Sequence, residues 1–127
     1  QSSIGFKNLD ARKMPQISIL AQVAPAATTE TTLYQVPADK YCLLTSLSIA
    51  NRGAGTVSFR VSISKAGAAT ATKDYRYYDK DILTKNSFID DFSVNQLKGL
   101  RIESLDIIRI YASTNELSFN LFGTEAG

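Results

Sequence analysis

The sequence predicts an all-β protein, an antiparallel β-sandwich of jelly-roll type preceded by an extended N-terminal arm. Three observations carry this reading. Apolar and polar residues alternate with a period of two in successive short runs, most clearly Val57-Ser58-Phe59-Arg60-Val61-Ser62-Ile63. Turn-forming residues separate the runs at roughly 8–12-residue intervals, the spacing of sandwiches and barrels. No long stretch carries apolar positions at the 3.6-residue helical period.

Each element follows from its residues. Residues 1–16 show neither periodicity, and Pro15 cuts off any helix over Asp10–Met14, so this segment is read as an extended arm. The domain proper is then 17–127. Ile17-Ser18-Ile19, running into Leu20-Ala21, makes a short strand. Residues 24–32 are small and polar, a loop leading to a β-branched strand start. Leu33-Tyr34-Gln35-Val36 is a strand stopped by Pro37, and Ala38-Asp39-Lys40 turns the chain. Tyr41–Ala50 reads as a long strand with Tyr41, Leu43, Leu47 and Ile49 on one face and Cys42 and Leu44 on the other. Apolar residues on both faces place it centrally in its sheet. Asn51-Arg52-Gly53-Ala54-Gly55 reads as a hairpin turn. Val57–Ile63 is the best half-buried strand, and Lys65–Thr72 is a Gly/Ala/Thr loop. Asp74–Tyr78 and Ser87–Ile89, the latter near Phe92 and Val94, are further strands. Gln96–Gly99 turns, Leu105–Tyr111 is a strand with Ile108 and Ile110 on one face, and Ser113-Thr114-Asn115 turns again. Leu117, Phe119 and Leu121 alternate in a last strand, followed by a tail from Gly123 to Gly127. The total is seven to nine strands.

Composition narrows the chemistry. The chain has 127 residues, one domain's worth. Hydrophobic residues make up 44% and charged residues 20%, which excludes wholesale disorder. No apolar run approaches the roughly 20 residues of a spanning helix, and none resembles the apolar core of a signal peptide. The sequence contains no histidine, which removes Ser-His-Asp and Cys-His catalysis and every His-based metal site. A single cysteine, Cys42, excludes an internal disulfide. Its apolar neighbours read as those of a small buried hydrophobe rather than a nucleophile. Gly53, Gly55 and Gly67 match no phosphate loop.

The formal net charge is +2. Lys7, Arg12 and Lys13 against Asp10 supply all of it, and the rest of the chain is neutral. A nucleic-acid binder normally carries a basic face on the domain itself. Neither nucleic acid nor a membrane is therefore expected as a partner. The arm, with Ile4, Phe6, Leu9 and Met14 among its basic residues, is expected to lie on an acidic neighbour, the alternative being a solvated tail.

Two clusters carry the remaining chemistry. Asp74, Asp79, Asp81, Asp90 and Asp91 could in principle serve a carboxylate hydrolase or a calcium site. However, no calcium-loop pattern is present, and Asp90 and Asp91 point to opposite faces of a strand. Lys73, Arg76, Lys80 and Lys85 interleave with the acids as on a charge-balanced surface. No catalytic residue, metal, cofactor or small-molecule substrate is assigned. The second cluster is Tyr75-Arg76-Tyr77-Tyr78. On a regular strand Tyr75 and Tyr77 share one face, and Arg76 and Tyr78 the other. Tyrosine and arginine are enriched at interfaces. The candidate interface residues are therefore Phe6, Lys7, Arg12, Lys13, Tyr75, Arg76, Tyr77 and Tyr78. Sugar stacking on Tyr75, Tyr77 and Tyr78, and simple packing of all three rings into the sandwich, are competing uses of the same rings.

Several pieces, in order, resemble one group of proteins. They are Ala24-Pro25 with Thr28–Thr32, Leu33-Tyr34-Gln35-Val36-Pro37-Ala38, Leu47-Ser48-Ile49-Ala50-Asn51-Arg52 and Phe59-Arg60-Val61. After these come Lys73-Asp74-Tyr75-Arg76-Tyr77-Tyr78-Asp79, Leu105-Asp106-Ile107-Ile108, Ala112-Ser113-Thr114, Leu117-Ser118-Phe119 and Phe122-Gly123-Thr124-Glu125. This layout, covering about four fifths of the chain, resembles small virion structural proteins of tailed bacteriophages, including cyanophage-like viruses. In the Leu105-Asp106 piece that group carries glycine where this sequence has leucine. The resemblance implies a non-enzymatic β-sandwich, a capsid cement or decoration protein on the outer surface of the virion that bridges coat-protein subunits. Its implied partners are the major capsid protein and sister copies, with a homotrimer suited to local three-fold symmetry. A tail, baseplate or fibre component, or a carbohydrate- or receptor-binding module, are the alternatives.

Overall fold

The computed structural model describes residues 16–93 and 99–127. The arm, including Phe6, Lys7, Arg12 and Lys13, lies outside the described residues, as does most of the Gln96–Gly99 turn. Among the described residues there are nine strands: β1 (Ser18–Val23), β2 (Thr31–Gln35), β3 (Tyr41–Asn51), β4 (Val57–Ser64), β5 (Tyr75–Ile82), β6 (Ser87–Asp90), β7 (Leu100–Ile102), β8 (Ile107–Ala112) and β9 (Leu117–Ala126). Two 3₁₀ turns, Lys65–Gly67 and Thr72–Asp74, are the helical elements described.

The strands form two antiparallel sheets. One runs β1-β9-β3-β6, with β7 also pairing β3, and the other runs β2-β8-β4-β5. β6 takes Leu47–Ala50 of β3 and β7 takes Cys42–Leu44, so the two are segments of one interrupted strand position. The pairs β1/β9, β2/β8, β3/β6-β7 and β4/β5 are the arms of a long antiparallel ribbon folded over on itself. That is the jelly-roll order, two four-position sheets face to face. The all-β sandwich is thus as the period-two pattern predicts.

The core lies between the sheets. Cys42, Leu44, Leu47 and Ile49 of β3 and Leu117, Phe119 and Leu121 of β9 face Val57, Phe59 and Val61 of β4 and Ile108 and Ile110 of β8. Phe59 stands at the centre, with ring centroids 5.5 Å from Phe88, 5.8 Å from Tyr77 and 6.3 Å from Phe119. Aromatic contacts at such spacings add to burial and join both sheets.

The structure corrects several expectations. The alternation in β3 does not run unbroken. Its register against β9 steps between Leu44 and Ser46, so Thr45 is an extra residue. This bulge puts Cys42 and Leu44 on the same inner face as Leu47 and Ile49, and turns Leu43 outward. β3 is nevertheless central, between β9 and β6-β7. Asn51–Gly55 is not a hairpin, because β3 and β4 belong to opposite sheets and the segment crosses between them. The Asn51 side chain organises this crossing. Its Nδ2 donates to the carbonyls of Gly55 (2.9 Å), Ile82 (3.0 Å) and Leu83 (3.2 Å), and its Oδ1 accepts from Gly53 N–H (2.9 Å). Gly123–Gly127 is not a tail, since β9 continues to Ala126 beside Tyr41–Leu44. β7, three residues long, lies below the length at which alternation can be recognised.

Gly123 is required by close approach. It lies where the bulge of β3 meets a second one in β1 at Leu20. A Cβ there would collide with the Leu43 carbonyl oxygen and crowd Leu20 and the Leu44 Cα. Leu105 presents the opposite case. It lies in the turn before β8 with φ +68°, and its side chain is 43% exposed. This left-handed conformation suits glycine. Gly123→Ala is expected to destabilise the fold by about 1–3 kcal/mol, the scale of overpacking. Leu105→Gly is expected to stabilise it by about 0.5–1 kcal/mol, relief of left-handed strain outweighing the glycine's extra chain entropy. Urea unfolding midpoints at constant slope check both.

Candidate functional site

The tyrosine cluster is placed by irregularities in β5. Phe59 pairs with Lys80, Val61 with Tyr77 and Ser62 with Tyr75, so β5 carries two residues more than β4 over this span. One extra residue falls at Tyr78-Asp79, where Asp79 has φ +52°, and the other at Arg76. Each insertion reverses the facing of the strand residues beyond it. Tyr75 and Tyr77 therefore do not share a face. Tyr75 meets Tyr78 edge-to-face, with centroids 4.9 Å apart, while Tyr77 packs inward on Phe59 and Phe88.

Arg76 also turns toward the sandwich. It makes a bidentate pair with buried Asp90, Nε to Oδ2 at 2.6 Å and Nη2 to Oδ1 at 3.2 Å, and its guanidinium lies 5.1 Å from the Phe92 ring centroid. Burial works to raise the Asp90 pKa. The Arg76 guanidinium, the Phe92 N–H and the Tyr77 hydroxyl outweigh it and hold the carboxyl below its ordinary range. Asp91, just past the end of β6 and so not on a strand as expected, is exposed beside its buried neighbour.

The outer face of the β2-β8-β4-β5 sheet belongs to Arg60, Tyr78 and Tyr111. Arg60 and Tyr111 are direct cross-strand partners. The guanidinium lies 4.3 Å from the Tyr111 centroid and 4.2 Å from that of Tyr78, and Nε donates to Asp79 Oδ1 at 2.7 Å. Arg60 and Tyr111 were not among the sequence-derived candidates, because their pairing depends on strands fifty residues apart in the chain being neighbours. The β4–β5 loop closes over this face and is tied down. Arg109 Nη1 donates to Ala68 O (2.8 Å) and Thr70 Oγ1 (3.0 Å). Asp74 Oδ2 accepts from Ala71 N–H and Ser64 Oγ, each at 2.9 Å. The Ala71 N–H and the Ser64 hydroxyl lower the Asp74 pKa. Between this loop and β5 lies an open cleft of about 460 Å³, lined by Thr70, Ala71, Thr72, Tyr75 and Tyr78.

The outer face of the other sheet differs. Ile19 (56% exposed) stands on it opposite half-buried Phe122, and Leu43 (41%) between Thr124 and Arg101, with Ile17 (67%) exposed just before β1. Ile17 begins where the basic arm ends. Regular alternation puts Leu43 on the face of Leu47 and Ile49; the Thr45 bulge brings it here instead. Cys42 lies in the core, with the Tyr34 hydroxyl 3.2 Å from its sulfur. Burial pushes the thiol pKa up, which makes it a poor nucleophile.

No family model matches the chain, and no curated protein matches it. Among solved structures, the chain is similar to a chain of infectious bursal disease virus, Gt strain, at 14% identity and a TM-score of 0.48 over 90% of its length. It is also similar to one of the Gx strain at 11% identity and a TM-score of 0.46 over 88%. It spans about a third of the length of those chains. Both are from a virus that is not a tailed bacteriophage, and at these values neither likeness carries an argument about role.

The Asp90 pair sets a pH dependence. Its carboxyl pKa is depressed in the folded state, so the unfolded chain binds more protons. The stabilisation is present above the unfolded value of about 4 and is lost as pH falls through the lower folded value. Asp90→Asn is expected to lower stability at pH 7 by about 1.5–3 kcal/mol, the worth of hydrogen bonds to a charged group. It also flattens the fall in stability between about pH 5 and 2. Unfolding midpoints measured against pH for both proteins test this.

Proposed function

We propose that this protein is a non-enzymatic structural component of a virus particle, a capsid decoration or cement protein that bridges coat-protein subunits on the outer surface of the shell. The observation that carries this reading is the set of exposed aliphatic side chains, Ile19 and Leu43 on the outer face of the five-stranded sheet and Ile17 just before β1, where the basic arm ends. Exposed apolar side chains gathered on one sheet face favour a partner that covers that face. On this reading the exposed aliphatic face is buried against a coat-protein subunit. The order of short motifs, which resembles that of tailed-phage virion proteins, points the same way. Many weakly held copies on a repeating lattice reinforce one another, which suits a cement. Partners on this reading are the major capsid protein and sister copies, arranged as a homotrimer at local three-folds.

Copy number in purified particles, measured by quantitative mass spectrometry against the major coat protein, tests the reading. Hundreds of copies in a simple ratio to the coat protein are expected. A few to a few dozen would move the protein to the tail, baseplate or fibres, and absence from particles would overturn a virion role. Replacing Ile19 with Asp is expected to reduce occupancy on the shell by about tenfold or more, a loss of roughly 1.4 kcal/mol per site, with the unfolding midpoint little changed. Light scattering on the free protein reports whether its mass is three times that of the 13.9 kDa chain.

A further inference from the structure

We propose that the cleft between the β4–β5 loop and β5 is a binding site for a neutral carbohydrate, with the Tyr78 ring packing on a pyranose and the hydroxyls of Tyr75, Thr70 and Thr72 meeting those of the sugar. The inference is independent of the virion reading and rests on four features of the cleft.

Its volume, about 460 Å³, falls within the range of small-ligand sites. Its lining is chemically uniform: two phenols, two threonines and an alanine, with no charged side chain. A surface of aromatic faces and neutral hydroxyls complements a ligand whose one face is C–H and whose rim is hydroxyl. The negative face of a tyrosine ring attracts the polarised C–H bonds of a pyranose, and each hydroxyl can donate or accept. Thr70 Oγ1 accepts from Arg109, so its own hydrogen is left to donate. The Thr72, Tyr75 and Tyr78 hydroxyls have no hydrogen-bond partner among the described residues.

The third feature is preorganisation. The loop wall is pinned by Arg109 and Asp74. The Arg60 guanidinium lies against the Tyr78 ring, 4.2 Å from its centroid, and Tyr75 meets the ring near-perpendicularly, which fixes its orientation. A ligand would order little on binding, which favours affinity. Fourth, the rings are kept out of the core. Of the three β5 tyrosines only Tyr77 packs inward, while Tyr78 is 57% exposed. The same features disfavour an anionic ligand. The nearest cations are already engaged, Arg60 by Asp79 and Arg109 by the loop, and Lys73 sits beside Asp74.

The full chain is tested on an array of neutral hexose and N-acetylhexosamine oligosaccharides, with sulfated glycans and a single-stranded oligonucleotide alongside. The best neutral glycan is then titrated by ¹H–¹⁵N NMR. Saturable shifts centred on Thr70–Thr72, Tyr75 and Tyr78 are expected. Tyr78→Ala should weaken binding by about tenfold or more and Tyr78→Phe by a few-fold only. Tyr41→Ala, on the opposite sheet, should leave it unchanged. Thr72→Val, an exposed change of near-equal volume, should weaken it several-fold in a protein whose spectrum is otherwise native. Failure of every neutral glycan, shifts away from the cleft, or tighter binding of the sulfated glycans or the oligonucleotide would each overturn the proposal.

Discussion

The pairing of β3 with β9 is the constraint on which the remaining architecture depends. It runs from Tyr41 opposite Ala126 to Asn51 opposite Leu117, joining residues 66 to 85 positions apart. Every other strand of that sheet is placed by it. β1 attaches to the free side of β9, and β6 and β7 to the free side of β3. The ladder also supplies most of one core wall, and Phe119 of β9 reaches Phe59 across the sandwich. Loop closure on this scale has a high entropic cost, which only the burial of the facing β4 and β8 side chains offsets.

The ladder works only because it is irregular. Near Gly123 it must absorb an extra residue from β3 on one side and from β1 on the other. Bulges increase local twist and re-aim side chains, and here they do both. Thr45 brings Cys42 and Leu44 into register with Leu47 and Ile49 while exposing Leu43. The same device in β5 sends Tyr77 and Arg76 inward and leaves Tyr75 and Tyr78 outside. Both surfaces to which a role is assigned are therefore products of one-residue insertions in otherwise regular strands.

This explains which parts of the molecule were legible in the sequence. The β4, β8 and β9 strands are regular over their apolar positions, so Val57, Phe59, Val61, Ile108, Ile110, Leu117, Phe119 and Leu121 announce their inward face directly. In β3 and β5 a bulge shifts the parity, and nothing in Leu44-Thr45-Ser46 or Arg76-Tyr77-Tyr78-Asp79 distinguishes an inserted residue from an alternating one. Sheet membership was hidden for a different reason. Asn51-Arg52-Gly53-Ala54-Gly55 has a composition that suits a hairpin and a crossing equally. The choice is made by Asn51 reaching Ile82 and Leu83, thirty residues on. The Arg60–Tyr111 stack is likewise a long-range fact. The tyrosine cluster was visible as composition, but which rings were available to a ligand was not.

The edges of the sandwich show why its two outer faces differ. Exposed strand edges invite pairing with other chains, and proteins blunt them with charge, irregularity or cover. β5 ends its sheet with two bulges and the charged run Asp79-Lys80-Asp81. β2, at the other end, presents threonines and a glutamine. β1 has a bulge but no charged residue from Ser18 to Val23, and it leaves Ile19 exposed. Water alone is poor cover for such an edge. The two surfaces thus answer different physical problems. The aliphatic edge gains free energy only by being covered over an area, as a lattice neighbour would cover it. The tyrosine cleft, small, walled and hydroxylated, gains it from a ligand that fits within a few side chains. A single sandwich can carry both because its core separates them, and a change on one outer face need not reach the other.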